Sequence, residues 1–277
     1  MVKKVAVIND LSGLGKCSLT AAIPVISVMG VQPCPLPTAV LSNQTGYDHY
    51  YSYDYTNHMD AHMEEWKKMN LTFDGIYTGY LGSEAQVEII LKFIKEFRRP
   101  DTLLLVDPVM GDSGAPYDIY TPSFGEQMKT LAFHADIITP NLTELCILTG
   151  VNYEELVAQQ DSANYLDVIA KIGIPLLEKG IQTIIVTGIG YAGKLYNLVL
   201  ETDSVSYVAS EIHGGSYSGT GDLLASVVCA GIVRGKTALE SVQLAARFLE
   251  AALIETVREG IPKNDGINFE PYLNILL

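Results

Sequence analysis

Short apolar strands alternate with helical segments through the middle of the chain, and this alternation constrains the fold more than any other feature. The predicted strands are 75–78, 102–106, 136–139 and 183–187, and the predicted helices are 83–97, 123–133, 142–148 and 164–179. A strand at 5–8 and a helix at 18–29 precede them, a β-hairpin at 195–200 and 204–208 comes late, and helices at 223–233 and 238–258 follow. This order predicts an α/β protein with a mostly parallel sheet covered by helices on both faces.

Composition narrows the classes of protein that such a chain can represent. The chain has 277 residues, 48% of them hydrophobic, and it shows no linker or repeat, so we expect a single domain over residues 1–277. Its net charge is −14 and its basic residues form only isolated pairs, which argues against nucleic acid and anionic membranes as partners. The apolar runs are too short for a signal peptide or a membrane span, and no Cys-x-x-Cys pair occurs. We therefore expect a cytoplasmic protein.

Two glycine-rich segments resemble nucleotide-binding motifs but fail their requirements. A Walker A loop ending at Gly15-Lys16 would need glycine at Asp10 and serine or threonine at Cys17. Residues 188–193 match Gly-x-Gly-x-x-Gly and follow a predicted strand, but a second strand comes next instead of a helix. Because a dinucleotide site needs a helix N-terminus at the pyrophosphate, we reject this motif.

A third glycine segment, Gly219-Thr220-Gly221-Asp222, precedes an apolar run that is typical of a buried helix. The first N–H groups of a helix lack internal partners and attract anions such as phosphate. A carboxylate beside phosphate is unfavourable for binding alone, but it suits a base that takes a proton from an attacking hydroxyl. The alternative that these four residues form only a turn and an N-cap stays open at this point.

Polar residues follow several predicted strands at their carboxyl ends, which meet at one edge of a parallel sheet. They are Asn9, Asp10, Thr78, Asp107, Asp112, Thr139, Asn141, Glu144 and Thr187. Carboxylates at such an edge can hold Mg²⁺ directly or through water. Each residue alone is more commonly a cap or turn residue, and Asn141 is typical of an N-cap. The tyrosine-rich segment 47–55 is either an exposed packing or dimer surface or a flap near an aromatic substrate.

Three motifs, in this order, resemble those of the ribokinase-like kinases of vitamin B6 and related compounds. They are Asp107-Pro108-Val109-Met110-Gly111-Asp112, Thr139-Pro140-Asn141-x-x-Glu144 and Gly219-Thr220-Gly221-Asp222. Ser42-Asn43-Gln44-Thr45-Gly46-Tyr47 and Thr78-Gly79-Tyr80 are similar to segments of pyridoxal kinases. The resemblance spans nearly the whole chain and implies a ribokinase-like three-layer α/β/α fold with a central, mostly parallel sheet.

The resemblance implies ATP-dependent phosphorylation of the 5′-hydroxymethyl group of pyridoxal, pyridoxine or pyridoxamine in pyridoxal 5′-phosphate salvage. It further implies Mg²⁺, often a monovalent cation (K⁺ or Na⁺), and a homodimer. Carried over by position, it makes Asp222 the general base and Gly219, Thr220 and Gly221 the anion hole. It assigns the vitamer to Ser12, Thr45, Tyr80 and Asp222, and ATP to Asp112, Glu144, Thr187, His213, Gly214, Gly215 and Gly219. It assigns Mg²⁺ to Asp112 and Glu144, and the monovalent cation to the surroundings of Asp107, Thr139 and Thr187.

Two alternatives remain beside this expectation. Hydroxymethylpyrimidine kinases share the fold and act on a similar alcohol, but they commonly carry cysteine where Asp222 stands. A non-catalytic vitamer-binding protein would keep the pocket without needing Asp222, Asp112 and Glu144 together. The opening loop, residues 9–16, departs from that of animal pyridoxal kinases and leaves the preferred vitamer open.

Overall fold

The computed structural model describes residues 2–277, which divide into two compact units. The first unit joins the chain up to Leu104 to His213–Leu277, and the second is the continuous segment Leu105–Ile212. The expectation of a single domain over residues 1–277 stays a prediction. None of the helices in residues 2–277 combines the length and apolar character needed to cross a membrane.

The elements follow the predicted order. The strands are β1 (Lys4–Ser12), β2 (Gln32–Leu41), β3 (Ser52–Asp54), β4 (Gly75–Thr78), β5 (Leu103–Val106), β6 (Gly111–Asp112), β7 (Ala115–Pro116), β8 (Ile137–Ile138), β9 (Thr183–Tyr191), β10 (Lys194–Glu201) and β11 (Ser204–Glu211). The helices are α1 (Ser18–Val28), α2 (Thr56–Lys68), α3 (Glu84–Phe97), α4 (Pro122–Ala132), α5 (Leu142–Thr149), α6 (Tyr153–Val157), α7 (Tyr165–Leu177), α8 (Thr220–Val233) and α9 (Ala238–Arg258). Short 3₁₀ helices at Lys263–Asp265 and Glu270–Leu276 follow α9.

The strands predicted from the alternation pair in parallel, with β1 beside β4, β5 beside β8 and β8 beside β9. In the first unit the strand order is β4-β1-β2-β3, with β1 parallel to both of its neighbours and β3 antiparallel to β2. In the second unit the order is β5-β8-β9-β10-β11, and the last two strands form the predicted late hairpin. The α/β class and the mostly parallel sheet are therefore confirmed.

The rejection of the dinucleotide motif at residues 188–193 is also confirmed. Gly188 and Gly190 lie within β9, and Gly193 lies in the tight turn that leads into β10. No helix begins there, so no helix N-terminus is available for a pyrophosphate.

Strand β2 was not predicted, because it contains three prolines and proline is rare inside sheets. Pro33, Pro35 and Pro37 alternate along the strand. Gln32 donates its N–H to the Lys3 carbonyl oxygen on the β1 side, so every second residue from Gln32 directs its backbone N–H toward β1. The backbone nitrogens of the prolines, which carry no hydrogen, therefore lie on the other side of β2. On that side β3 pairs only with Ala39–Leu41 and needs no N–H from the prolines.

Candidate active site

The predicted base Asp222 lies in the first turn of α8, near the N-terminus of α1. Gly219 is the N-cap of α8 with φ +79°, and no side chain caps this helix, so its first N–H groups are available to an anion. A Cβ on Gly219 would overlap the carbonyl oxygen of Lys16, because the two helix starts pack directly on each other. Gly219, Thr220 and Gly221 thus form the geometry expected of an anion hole, a role that stays a prediction.

Residues of the first unit fix the Asp222 carboxylate from several sides. Asn9 donates from Nδ2 to Asp222 Oδ1 at 3.0 Å. The Ser18 backbone N–H and the Tyr77 hydroxyl also lie near this carboxylate and favour its charged form. Asn9 is held in turn, because its Oδ1 accepts the backbone N–H groups of Asp10 at 3.0 Å and Tyr80 at 2.8 Å. The base therefore has a defined position before any ligand binds.

The surroundings of Asp222 weaken its acidity. Burial raises the pKa of Asp222 from 3.8 to about 6, and the nearby Asp10 carboxylate raises it further, against the lowering effect of the hydrogen bonds it accepts. A carboxylate with a pKa near 6 is a stronger base than an exposed one and is still mostly ionised at neutral pH. This property suits a group that accepts a proton from an alcohol.

Asp10 is a buried carboxylate beside Asp222, and sequence reasoning placed it at the sheet edge without a specific role. It is 6% exposed, and its Oδ2 accepts the Ser12 hydroxyl at 2.7 Å. The pairing of β1 with β2 shifts register between Asn9 and Leu11, so the ladder is irregular at Asp10. The Asn9-Asp10 pair at the end of the first strand was the only sequence signal for these two residues.

Besides Asp222, the predicted vitamer contacts are Ser12, Tyr80 and Thr45, and the structure brings the first two near the predicted base. Ser12 is 1% exposed and its proton is directed at Asp10, which leaves Asp10 closer to solvent. Tyr80 is half-buried, and burial together with Asp10 raises the pKa of its hydroxyl to about 12. Thr45 lies in an exposed loop. Their roles as substrate contacts stay predictions.

Cys17 also lies in this group but is not a candidate nucleophile. It is the N-cap residue of α1 and is buried. Burial and the charges of Asp222 and Asp10 raise the pKa of its thiol to about 12. The thiol therefore stays protonated at neutral pH.

A C-terminal segment, residues 263–265, forms hydrogen bonds with two of the loops around this site. The Tyr47 hydroxyl donates to Asp265 Oδ1 at 2.5 Å, and Asn264 donates from Nδ2 to the Gly46 carbonyl at 2.6 Å. The Ser218 N–H donates to the Lys263 carbonyl at 3.0 Å, just before the anion-hole residues. Tyr47 is thus anchored, whereas Tyr50, Tyr51 and Tyr53 farther along the tyrosine-rich segment are exposed.

The remaining residues expected at ATP in the first unit lie in the loop before α8. His213 places Nε2 3.6 Å from Glu250 Oε1. Gly214 and Gly215 are exposed, and Gly214 has φ +67°. The loop leaves its backbone accessible to a ligand, as the expected ATP contacts of these residues require.

The residues expected at metal ions lie in the second unit. Thr139 donates its hydroxyl to Asp107 Oδ1 at 2.9 Å, and both residues are buried. Asp112 is exposed and accepts the Ser113 N–H at 2.7 Å. Thr187 forms a parallel bridge with Asn141, which is the N-cap of α5 as predicted. These positions are compatible with the expected roles, which stay predictions.

Glu144 has a structural role that its motif did not reveal. Its Oε1 accepts the Met110 N–H at 3.1 Å, and its Oε2 accepts the Asn141 N–H at 2.9 Å as part of the capping box of α5. Burial, and then the Asp107 charge, raise the pKa of Glu144. With both oxygens engaged by backbone, Glu144 fits an indirect role at a metal ion better than direct coordination.

We expect Glu144→Gln to lower the free energy of unfolding by about 1–3 kcal/mol, because the amide nitrogen must face one of two backbone N–H donors. Thermal unfolding followed by circular dichroism measures this change. Glu240→Gln is the matched control, since Glu240 completes the capping box of α9 with Oε2 alone and the amide oxygen can replace it. Equal stability of Glu144→Gln and the wild type would mean that Glu144 is already protonated.

Comparison with known proteins identifies the family of this chain. A family model described as phosphomethylpyrimidine kinase matches residues 16–266. The chain belongs to this family. A crystal structure from Bacteroides thetaiotaomicron VPI-5482, described as that of a putative phosphomethylpyrimidine kinase, is 38% identical, with a TM-score of 0.93 over 99% of this chain and 94% of that one. A second crystal form, described in the same words, contains pyridoxal. It is 37% identical, with a TM-score of 0.89 over 100% of this chain and 96% of that one.

Two further relatives are pyridoxal kinases. The crystal structure of the enzyme from Lactobacillus plantarum is 29% identical, with a TM-score of 0.88 over 100% of this chain and 97% of that one. The pyridoxal kinase PdxY of Aliivibrio fischeri is 26% identical over 94% of this chain and 91% of its own length. The chain is therefore a kinase with the ribokinase-like fold, and the resemblance inferred from its motifs is confirmed. The non-catalytic alternative is set aside.

Proposed function

We propose that this kinase transfers the γ-phosphoryl group of ATP to the 5′-hydroxymethyl group of a vitamin B6 vitamer. The observation that carries the proposal is the Asp222 carboxylate, oriented by Asn9 in the uncapped first turn of α8. The pyridoxal bound to the Bacteroides relative and the pyridoxal kinase relatives support a B6 vitamer as the acceptor.

In this proposal the chain contributes position and charge, which are what phosphoryl transfer chiefly requires. Asp222 accepts the proton of the hydroxymethyl group as its oxygen attacks the γ-phosphorus. The N–H groups of Gly219, Thr220 and Gly221 bind the phosphate oxygens and stabilise the charge that develops on them. ADP leaves, and the proton passes from Asp222 to solvent.

The proposal includes Mg²⁺ beside the nucleotide, together with a monovalent cation. Residues 2–277 contain no cluster of three or more histidine, cysteine or acidic side chains arranged as a metal site. Mg²⁺ commonly takes one or two carboxylates and completes its shell with phosphate oxygens and water, so its binding does not require such a cluster. Asp112 would hold it and Glu144 would act indirectly. When bound, the ion neutralises phosphate charge. The Asp107–Thr139 pair offers oxygen atoms suited to the monovalent cation.

ADP release with Mg-ATP and a panel of alcohols tests the proposal. The panel contains pyridoxal, pyridoxine, pyridoxamine, hydroxymethylpyrimidine and several sugars. The expected result is that a B6 vitamer is phosphorylated with the highest kcat/KM of all compounds in the panel. Hydroxymethylpyrimidine is a second candidate because the matching family model describes phosphomethylpyrimidine kinases, and turnover of it alone would replace our proposal.

We expect kcat/KM for the vitamer to fall on the acid side with an apparent pKa of about 6, the value to which burial raises Asp222. Only the ionised carboxylate can accept a proton, so activity is present above this pH and is lost as the pH falls through it. A pH profile of kcat/KM for the vitamer between 4 and 9, with saturating ATP, measures the effect. A flat profile down to about pH 4, near the ordinary pKa of aspartate, would contradict this assignment of the base.

A further inference from the structure

Two carboxylates of the first unit, Asp10 and Asp222, occupy one site without a cationic partner from the protein. No lysine, arginine or histidine among residues 2–277 forms an ion pair with either one. Asp222 has a role in the proposed reaction, whereas the mechanism leaves Asp10 unused. A buried charge that the protein does not neutralise calls for a compensating group, and a ligand can supply it.

Asp10 is held in a fixed position at the site. Its carboxylate accepts the Ser12 hydroxyl at 2.7 Å and lies near the Ser18 hydroxyl. Its backbone N–H donates to Asn9 Oδ1, and the same Asn9 side chain donates to Asp222. One asparagine therefore contacts both the backbone of Asp10 and the carboxylate of Asp222. The donors around Asp10 favour its ionised form and oppose the pKa increase that burial causes.

The position of Asp10 beside the base defines the part of the substrate that it meets. Asp222 must face the oxygen of the reacting hydroxymethyl group. In every B6 vitamer, the ring carbon next to the one bearing that group carries the substituent that distinguishes the vitamers. This substituent is an aldehyde in pyridoxal, a hydroxymethyl group in pyridoxine and an aminomethyl group in pyridoxamine. A second carboxylate adjacent to Asp222 is therefore placed to contact it.

We propose that Asp10 determines vitamer preference by selecting a neighbouring substituent that donates a hydrogen bond or carries positive charge, and thus favours pyridoxamine over pyridoxal. The inference rests on the proposed function and names the substrate within it. An ammonium group forms a charge-assisted hydrogen bond with Asp10, which is roughly twice as strong as a neutral one. The aldehyde oxygen of pyridoxal is only an acceptor, so it leaves the carboxylate unpaired and is repelled by it.

The test compares kcat/KM for pyridoxamine and pyridoxal in the wild type and in Asp10→Asn. We expect the pyridoxamine-to-pyridoxal ratio to fall by about tenfold or more in the variant, since a charge-assisted contact is lost with one substrate only. Taking the ratio within each variant cancels any effect of Asp10 on the basicity of Asp222, because both substrates use the same base. Pyridoxine, with a neutral donor, is expected to change less than pyridoxamine.

Asp74→Asn is the matched control. Asp74 precedes β4, at the opposite end of the same strands, and its Oδ2 accepts the Lys4 N–H at 2.8 Å. We expect this variant to keep the wild-type ratio. If Asp10→Asn fails to fold, Asp10→Ser removes the charge with a smaller side chain that can still bond to Ser12, and the same change in ratio is expected.

An unchanged ratio in a folded Asp10 variant, or a wild type that favours pyridoxal, would overturn this inference while vitamer turnover upholds the proposed function. A wild type that phosphorylates none of the three vitamers would instead refute the proposed function itself. The two failures are therefore distinguishable in one set of assays.

Discussion

Replacing Asp222 by asparagine is expected to lower kcat by about 10²–10⁴-fold, the contribution typical of a positioned base. Asparagine preserves the shape of the side chain and can still accept from Asn9 or Ser18, but it cannot take a proton. Steady-state ADP release with saturating ATP and vitamer measures the loss. The KM values are expected to change much less than kcat, because the variant removes an interaction made in the transition state.

The Asp222→Asn variant is also expected to stay folded. A carboxylate whose pKa rises from 3.8 to about 6 on folding destabilises the folded state as the pH increases between these values, and the cost is complete above them. Removing the charge relieves this cost, of up to about 3 kcal/mol, and offsets the hydrogen bond that asparagine loses. Stability at pH 7.5 within about 1 kcal/mol of the wild type is the expected result.

Ser226→Ala provides the control for changes in α8 that do not touch the carboxylate. Ser226 lies one turn beyond Asp222 and donates its hydroxyl to the Asp222 carbonyl oxygen at 2.6 Å. We expect this variant to keep kcat within about twofold of the wild type, since it loses a single backbone contact. Near-normal turnover by Asp222→Asn would remove Asp222 from the role of base.

The second large effect is expected at Gly219. Gly219→Ala forces a side chain into a left-handed conformation at φ +79° and against the Lys16 carbonyl oxygen and the Cys17 Cα atom, neither of which can move freely. We expect a loss of roughly 2–4 kcal/mol in the free energy of unfolding. We also expect a decrease in kcat of about 10²-fold or more, because the N–H groups of the anion hole shift with the backbone.

Gly221→Ala is the control for Gly219→Ala. It tests whether a methyl group in this segment lowers stability even where it meets no other atoms. No atom lies within 4 Å of a Cβ at Gly221, which is the second residue of α8. Alanine there is expected to leave stability unchanged or to raise it by up to about 1 kcal/mol. Urea unfolding followed by the fluorescence of Trp66, the one tryptophan in the sequence, reports on the first unit. Equal stability of the two variants would contradict the steric argument.

The sequence predicted those elements whose local pattern agrees with their final environment. Helix α9 and strand β4 have the predicted bounds, and Ser83 and Asn141 cap their helices as expected. Strand β2 was missed because its prolines carry a local signal against a strand, and only the unpaired side of the strand makes them acceptable.

The site was predictable where a motif states the chemistry and was missed where tertiary contact supplies it. Asp222 was predicted to be the base from its place between a glycine loop and a helix, and that role stays a prediction. The roles of Asn9 and Asp10 depend on a hydrogen bond that joins residues 213 positions apart in the sequence. Spacing carries no information about such a contact. Glu144 shows the converse, since its motif suggested a metal ligand and its two oxygens proved to be occupied by backbone.

The division of the chain has a consequence for its biosynthesis. The second unit is one uninterrupted stretch, whereas the first needs both the chain up to Leu104 and the part from His213 onward. On the ribosome, Leu105–Ile212 can therefore begin to fold before α8 and α9, which complete the first unit together with β1, have been synthesised. The Asn9–Asp222 bond forms only after Asp222 has emerged, so a polypeptide whose translation stops before this residue lacks the proposed base, and we expect it to transfer no phosphoryl group.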